Sequence, residues 1–203
     1  YAGDYESARD ADIIVITAGV GLKQGQTRLD LARTNAAIAA QVVDRTAPLA
    51  PDAIYVIATN PCDVLTSVVF DRLRCARERV ISTGTSLDTG RLRSLLSERL
   101  GVVAPAIHVY VLGEHGESAL IDWSGATVCG MPLDMFLVRS GKELGPASRD
   151  LILRSVHEAA TLIKEGKGAT HYGVASAIGR ICQAIVHNTD LILPVAVVHA
   201  EVE

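Results

Sequence analysis

The sequence predicts a partial doubly wound parallel α/β sheet up to Ser82, followed by an α+β unit. Three observations carry this. Short β-branched runs each end in a glycine or asparagine turn, amphipathic helical stretches separate them, and the texture changes at Thr83. Strand, turn, helix, strand is the rhythm of parallel sheets, whose ligands gather at the carboxyl ends of the strands.

In order, Asp12 to Thr17 ("DIIVIT") reads as a strand buried on both faces, ending in Ala18-Gly19. A helix from Arg28 to about Leu49 presents Leu31, Ile38 and Val42 on one stripe. Ala53 to Ala58 is the next strand; it stops at Thr59-Asn60-Pro61, and Asp63 to about Leu73 forms a helix. Val80-Ile81-Ser82 is a short third strand. Then "GTSLDTGRLRSLLSERLG" is a helix closed by Gly101. His108 to Leu112 is a strand, and "ESALIDWSGATVCGMPLDMF" is a β-ribbon with turns at Ser124-Gly125 and Gly130. Two long helices follow, with Ile152, Val156, Ala159 and Ile163 on the first and Val174, Ile178, Ile181 and Ile185 on the second. A last strand spans Leu191 to His199.

With 203 residues, 49% hydrophobic and 21% charged, the chain has ample core material. A formal charge of -4 argues against nucleic acid as a partner, and no basic run suits a membrane surface. The longest apolar stretches, such as Leu191 to Val198, are too short to span a bilayer. Cysteines at 62, 75, 129 and 182 form no CxxC pair and meet no histidine at metal-site spacing. They read as free buried thiols of a reducing cytoplasm, with no metal site.

The chemistry concentrates around "HVYVLGEHGES". An apolar strand runs into Gly113-Glu114-His115-Gly116, so an imidazole stands between glycines just past a strand's carboxyl end. Possible partners end other elements: Asp88 and Arg91 in "LDTGR", Arg28 in "GQTR", Asn60 in "TNP". Each alone has a plainer explanation. Asp88 suits a helix start, the two arginines suit solvated helix surface, and Asn60 before Pro61 suits a turn. Together they suit ketone reduction, which needs a hydride on carbon and a proton on oxygen. Imidazole holds a proton near neutral pH, and a carboxylate favours its charged form and fixes its tautomer. One guanidinium stabilises charge growing on the carbonyl oxygen, and another grips a carboxylate through two parallel bonds.

"GDYESARDADIIVITAGVGLKQGQTRLDLARTN", "VIATNPCDVLT", "VISTGTSLDTGRLRSLLSERLGV", "VYVLGEHGES" and "KGATHYGVASAI" follow the order and spacing of the L-lactate/malate dehydrogenase family. The resemblance covers nearly the whole chain and looks closest to the bacterial L-lactate enzymes. It implies a Rossmann-type sheet over residues 1–82, a catalytic domain over 83–203, and cytoplasmic, glycolytic pyruvate metabolism with NAD. By this resemblance His115 is the proton donor and acceptor, Asp88 orients it, and Arg91 holds the substrate carboxylate. Arg28 polarises the carbonyl from a lid loop that begins at Gly19, Val20 and Gly21. Asn60 and Thr170 line the pocket. Thr17, Ala18, Gly19, Asn35, Ala58 and Asn60 contact the cofactor.

The dinucleotide fingerprint GxGxxG and its acidic partner, which the family carries upstream of Tyr1, are absent, as are the family's last strands and helix. The expectation is a fragment that is inactive alone. In the specificity loop lactate enzymes resemble "QKPGETR", and malate enzymes carry arginine at the first position; here "LKQGQTR" has Leu22 there. A second carboxylate against leucine is costly, so pyruvate/lactate is favoured and a branched 2-oxo acid is the alternative. Lys23 is common in lactate enzymes, whereas Gln24 and Gln26 depart from the usual proline and glutamate. Arg93 and His108 match positions where allosteric bacterial relatives bind fructose 1,6-bisphosphate between subunits of a tetramer. Two rival readings are a non-catalytic truncated chain and a hydrolase using Ser118 with His115, though no nucleophile elbow surrounds that serine.

Overall fold

A computed structural model describes residues 2–21, 25–168 and 170–199. Leu22 of the specificity loop lies outside them, with Lys23 and Gln24. The described chain divides into two compact units: Tyr1–Gly84 with Arg180–Asp190 and Val195–Glu203, and Thr85–Gly179 with Leu191–Pro194.

In the first unit β1 (Ile13–Ile16), α1 (Arg28–Thr46), β2 (Ile54–Ile57), α2 (Cys62–Leu73) and β3 (Val80–Ser82) alternate. All three strands run parallel; Ile13 lies opposite Ile54, and Tyr55 opposite Val80. β2 is central and almost wholly buried. β1 is less buried than expected, with Val15 36% exposed. It is the edge of the described sheet, and an edge strand lacks the neighbour that would cover its outer side.

α1 starts at Arg28 because Thr27 and Asp30 form a capping box: the Asp30 N–H donates to Thr27 Oγ1, and the Thr27 N–H to Asp30 Oδ2, both at 3.1 Å. The Thr27 hydroxyl, which donates to Asp30 Oδ2 at 2.6 Å, and then the Thr27 N–H hold the Asp30 carboxyl below its usual range. The buried row is Asn35, Ala39, Val43 and Thr46; Leu31, Ile38 and Val42 flank it half-buried. Small residues let the helix approach its neighbours closely, α2 above all. The two polar members are tolerated because they are bonded, Thr46 to the Tyr55 hydroxyl at 2.9 Å and Asn35 as described below.

The second unit opens with α3 (Ser86–Leu100), whose buried row is Asp88, Leu92, Leu96 and Leu100 at four-residue spacing, with Thr89 beside it. Gly101 closes it. The expected strand from His108 to Leu112 is two shorter ones. β4 (Ile107–His108) and β5 (Val111–Leu112) belong to different ribbons; β5 pairs with β6 (Leu120–Ile121). β4 pairs with β7 (Thr127–Val128), which pairs with β8 (Met131–Pro132). The break falls where Val109 O accepts from Arg93 rather than from a ladder partner.

α4 (Leu133–Ser140) and α5 (Pro146–Lys167) complete the core, in which Leu92, Leu96, Ile107, Val111, Val128, Ile152 and Val156 are buried. Past Val156 the expected stripe of α5 emerges, and Ile163 is exposed. On α6 (Tyr172–His187) only Ile181 of the expected row is fully buried. The last strand, β9 (Ala196–Val197), is far shorter than Leu191 to His199. Pro194 has no N–H to donate, and its carbonyl accepts from Ser86 Oγ at 3.0 Å. β9 runs antiparallel to β3, so the sheet is mixed, in the order β1-β2-β3-β9.

Candidate active site

His115 stands three residues beyond Leu112, where β5 ends, after Gly113 with φ 89°. That left-handed conformation favours glycine. Its Nδ1 lies 2.6 Å from Oδ2 of Asp88. The other carboxylate oxygen of Asp88, Oδ1, accepts from Arg91 Nη1 at 3.2 Å. Asp88 is 7% exposed. It therefore sits, nearly out of water, between an imidazole and a guanidinium. Asp88 and Arg91 are three apart on α3 and share a face. His115, Asp88 and Arg91 thus come together within the second unit, as their residue types anticipated.

Helix and loop are joined behind this group. Val111 is fully buried; its N–H donates to Thr89 Oγ1 at 2.9 Å, and its carbonyl accepts from Thr85 Oγ1. Sequence reading missed both threonines. Thr170 is half-buried in the connection between α5 and α6. Ser118, offered above as a nucleophile, donates its hydroxyl to Glu114 Oε2 at 2.7 Å, which is not the arrangement of a serine activated by a histidine.

In the first unit the predicted cofactor residues gather at the carboxyl ends of β1 and β2. Thr17, Ala18 and Gly19 are exposed, Ala58 is half-buried, and Asn60 is exposed. Thr59 Oγ1 laces the two strand ends, donating to Ile16 O at 3.2 Å and Ala18 O at 2.9 Å. Asn35 is only 1% exposed. Its Oδ1 accepts the Val20 N–H at 2.8 Å; its Nδ2 donates to Val20 O at 3.2 Å and Asn60 O at 2.7 Å. Its side chain is thus spent on holding two backbones. Gly19 fits tightly here, since a Cβ would fall on Thr59 Cγ2. Exposed backbone at adjacent parallel strand ends suits the phosphates of a dinucleotide, so these residues fit NAD. Arg28 is the exposed first residue of α1.

Arg93 donates from Nε to Val109 O at 3.2 Å and stacks on the Tyr110 ring at 5.0 Å; His108 is exposed on β4. All four cysteines are free, but only Cys62 is buried, contrary to expectation; Cys129 is exposed in the β7–β8 turn. Burial pushes the Cys62 thiol up to about 11. Among the described residues there is no cluster of three or more potential metal ligands, and no helix is long and apolar enough to cross a membrane.

Residues 1–82 match the family model "lactate/malate dehydrogenase, NAD binding domain", and residues 85–202 match "lactate/malate dehydrogenase, alpha/beta C-terminal domain". The L-lactate dehydrogenase of Geotalea daltonii is 43% identical over 205 residues, covering 100% of this chain and 66% of that protein. That of Thermus aquaticus is 41% identical over 202 residues, covering 100% and 65%. Among solved structures, the minor L-lactate dehydrogenase of Enterococcus mundtii in its ligands-bound form superposes with a TM-score of 0.91 at 40% identity, covering 97% of this chain and 62% of that one. The chain thus spans a little under two thirds of the length of these relatives.

Proposed function

Since the chain belongs to the lactate/malate dehydrogenase family, we propose that it comes from an NAD-dependent L-lactate dehydrogenase interconverting pyruvate and L-lactate. The observation that carries this reading is Asp88 bridging His115 and Arg91. NAD, when bound, takes or supplies the hydride. Everything else falls to side chains. With Nδ1 committed to Asp88, the proton exchanged with the substrate oxygen is the one on Nε2. When His115 is protonated, the His115, Asp88 and Arg91 group carries one net positive charge, complementary to a 2-oxo acid carboxylate. When His115 is neutral the group is neutral. Arg91 takes the carboxylate, and Arg28 the developing charge on the carbonyl oxygen. By the family resemblance Asn60, Thr170 and Leu22 contact the substrate. Thr17, Ala18, Gly19, Ala58 and Asn60 face the cofactor, with Asn35 acting through the backbones it holds. Residues 1–82 belong to the NAD-binding domain and 83–203 to the substrate domain, except that Arg180–Asp190 and Val195–Glu203 group with the first compact unit.

Leu22 disfavours a second carboxylate, so pyruvate is preferred to oxaloacetate, with branched 2-oxo acids next. The test is steady-state kinetics of the whole protein, including any residues that flank this chain, with NADH and each acid. Faster turnover of oxaloacetate than pyruvate refutes the substrate assignment, and none with any acid supports the non-catalytic reading. Arg93 and His108 suit a bisphosphate shared across a two-fold axis of a homotetramer, and fructose 1,6-bisphosphate is the effector proposed. An unchanged substrate dependence in its presence dismisses that site. The four free cysteines suit a reducing cytoplasm.

A further inference from the structure

The chain contains one helix-start motif twice, with two outcomes. Thr27-x-x-Asp30 opens α1, and Thr85-x-x-Asp88 opens α3. The first closes into a reciprocal capping box, whereas at the second Thr85 stands in the N-cap position with no side-chain cap bond. Such a cap contributes about 1 kcal/mol, and α3 forgoes it. Both side chains are directed elsewhere. The Asp88 carboxylate goes to His115 and Arg91; the Thr85 hydroxyl donates to the Val111 carbonyl. One turn later Thr89, which an isolated helix does not need, accepts the Val111 N–H at 2.9 Å. Thr85, Thr89 and Val111 are all nearly or fully buried.

We propose that Thr85 and Thr89 are positioning residues for proton transfer: by gripping both polar groups of Val111 they set the loop bearing His115 at its distance from Asp88. This rests on the lactate dehydrogenase reading and extends it. β5 pairs with β6 along one edge only, and the Val111 N–H and C=O are bonded to the two threonines. The threonines act there as a second strand made of side chains. Thr89 adjoins Asp88 in sequence and Thr85 lies one turn earlier. A shift of Val111 against α3 is therefore a shift of His115 against Asp88. Among the described residues, Asp88 on α3 is bonded to the ring and Arg91 is bonded to the other oxygen of Asp88; Glu114, next to His115 in the loop, has its carboxylate on Ser118.

The test compares Thr85→Val and Thr89→Val, which keep shape and lose the hydroxyl, with Thr85→Ser and Thr89→Ser, which keep it, in the whole protein. For the valine variants kcat for pyruvate reduction should fall about tenfold, with KM within about twofold. The alkaline limb of the rate profile should move to lower pH, and serine should restore both. A readout independent of turnover is carbethoxylation of His115 by diethylpyrocarbonate as a function of pH, followed by peptide mass spectrometry. The valine variants should reach half-maximal reactivity at lower pH. Thr89→Ala is the second variant, should valine prevent folding. Melting points lowered with both pH dependences unmoved would reduce the threonines to scaffolding and overturn the proposal. A wild-type protein inert with pyruvate would sink the dehydrogenase reading alone, because carbethoxylation still decides the positioning role.

Discussion

Asp88→Asn is the sharpest probe of the site, since it keeps the side chain's volume and removes its charge. In the structure the carboxylate lies 2.6 Å from Nδ1 of a half-buried ring. Two unit charges about 4 Å apart interact by roughly 4 kcal/mol at an effective dielectric of about 20. His115 is 27% exposed, so water screens part of this, and Arg91 on the opposite oxygen opposes the charge on the ring. About half survives, roughly 2 kcal/mol, or about 30-fold in the ease of holding the catalytic proton. The amide also presents N–H to Nδ1 and so favours the wrong tautomer, a second penalty on the order of tenfold. The expectation is a loss of roughly 300-fold in kcat/KM for pyruvate with an unchanged melting point. The alkaline limb of the profile, followed by NADH oxidation across roughly pH 6–9, should also move down. A loss below about threefold in a folded variant would mean that Asp88 neither charges nor orients the imidazole.

Three further outcomes follow from the same geometry. Asn35→Ala strands the Val20 N–H and two carbonyls that the amide now serves, so the melting transition should show a loss of about 2–3 kcal/mol; an unshifted transition would contradict the count of bonds. Gly19→Ala drives a methyl into Thr59 and should destabilise by about 1–3 kcal/mol, whereas Gly21→Ala, which meets open space, should be near neutral; equal effects would deny the close fit. Burial raises the Cys62 thiol from 9.0 to about 11. Its protonated form is therefore favoured on folding, and that stability is intact below about pH 9 and lost as pH rises towards about 11. The loss is roughly 3 kcal/mol in alkaline denaturant titrations and should vanish in Cys62→Ala; a slope unchanged by the substitution would exclude this thiol as its source.

Several features were legible because they are local. A β-branched run between turn residues reads as a strand, and Gly101 ends α3 where an αL residue was expected. One functional residue left a trace in periodicity: Asp88 heads the apolar row Leu92, Leu96 and Leu100, where a carboxylate is out of place unless it is bonded. Periodicity also misled. The large aliphatic residues of α1 suggested a face centred on Leu31, Ile38 and Val42, but the face that is buried holds the smaller Ala39 and Val43 with two polar residues. The strand from His108 to Leu112 looked continuous because nothing nearby revealed that Arg93 takes the Val109 carbonyl.

The linear order of residues determined the element types, the family motifs and the set of groups able to bind a keto acid and move a proton. Only the tertiary structure decided which polar residues are buried and what they serve. Asn35 meets Asn60 25 residues away, and Thr89 meets Val111 22 away. The same Thr-x-x-Asp motif caps one helix and leaves the other uncapped, with its carboxylate turned to His115. A hydrophobic side chain announces its burial by its own chemistry, but a polar one is buried only when distant partners satisfy it, and the fold supplies those partners.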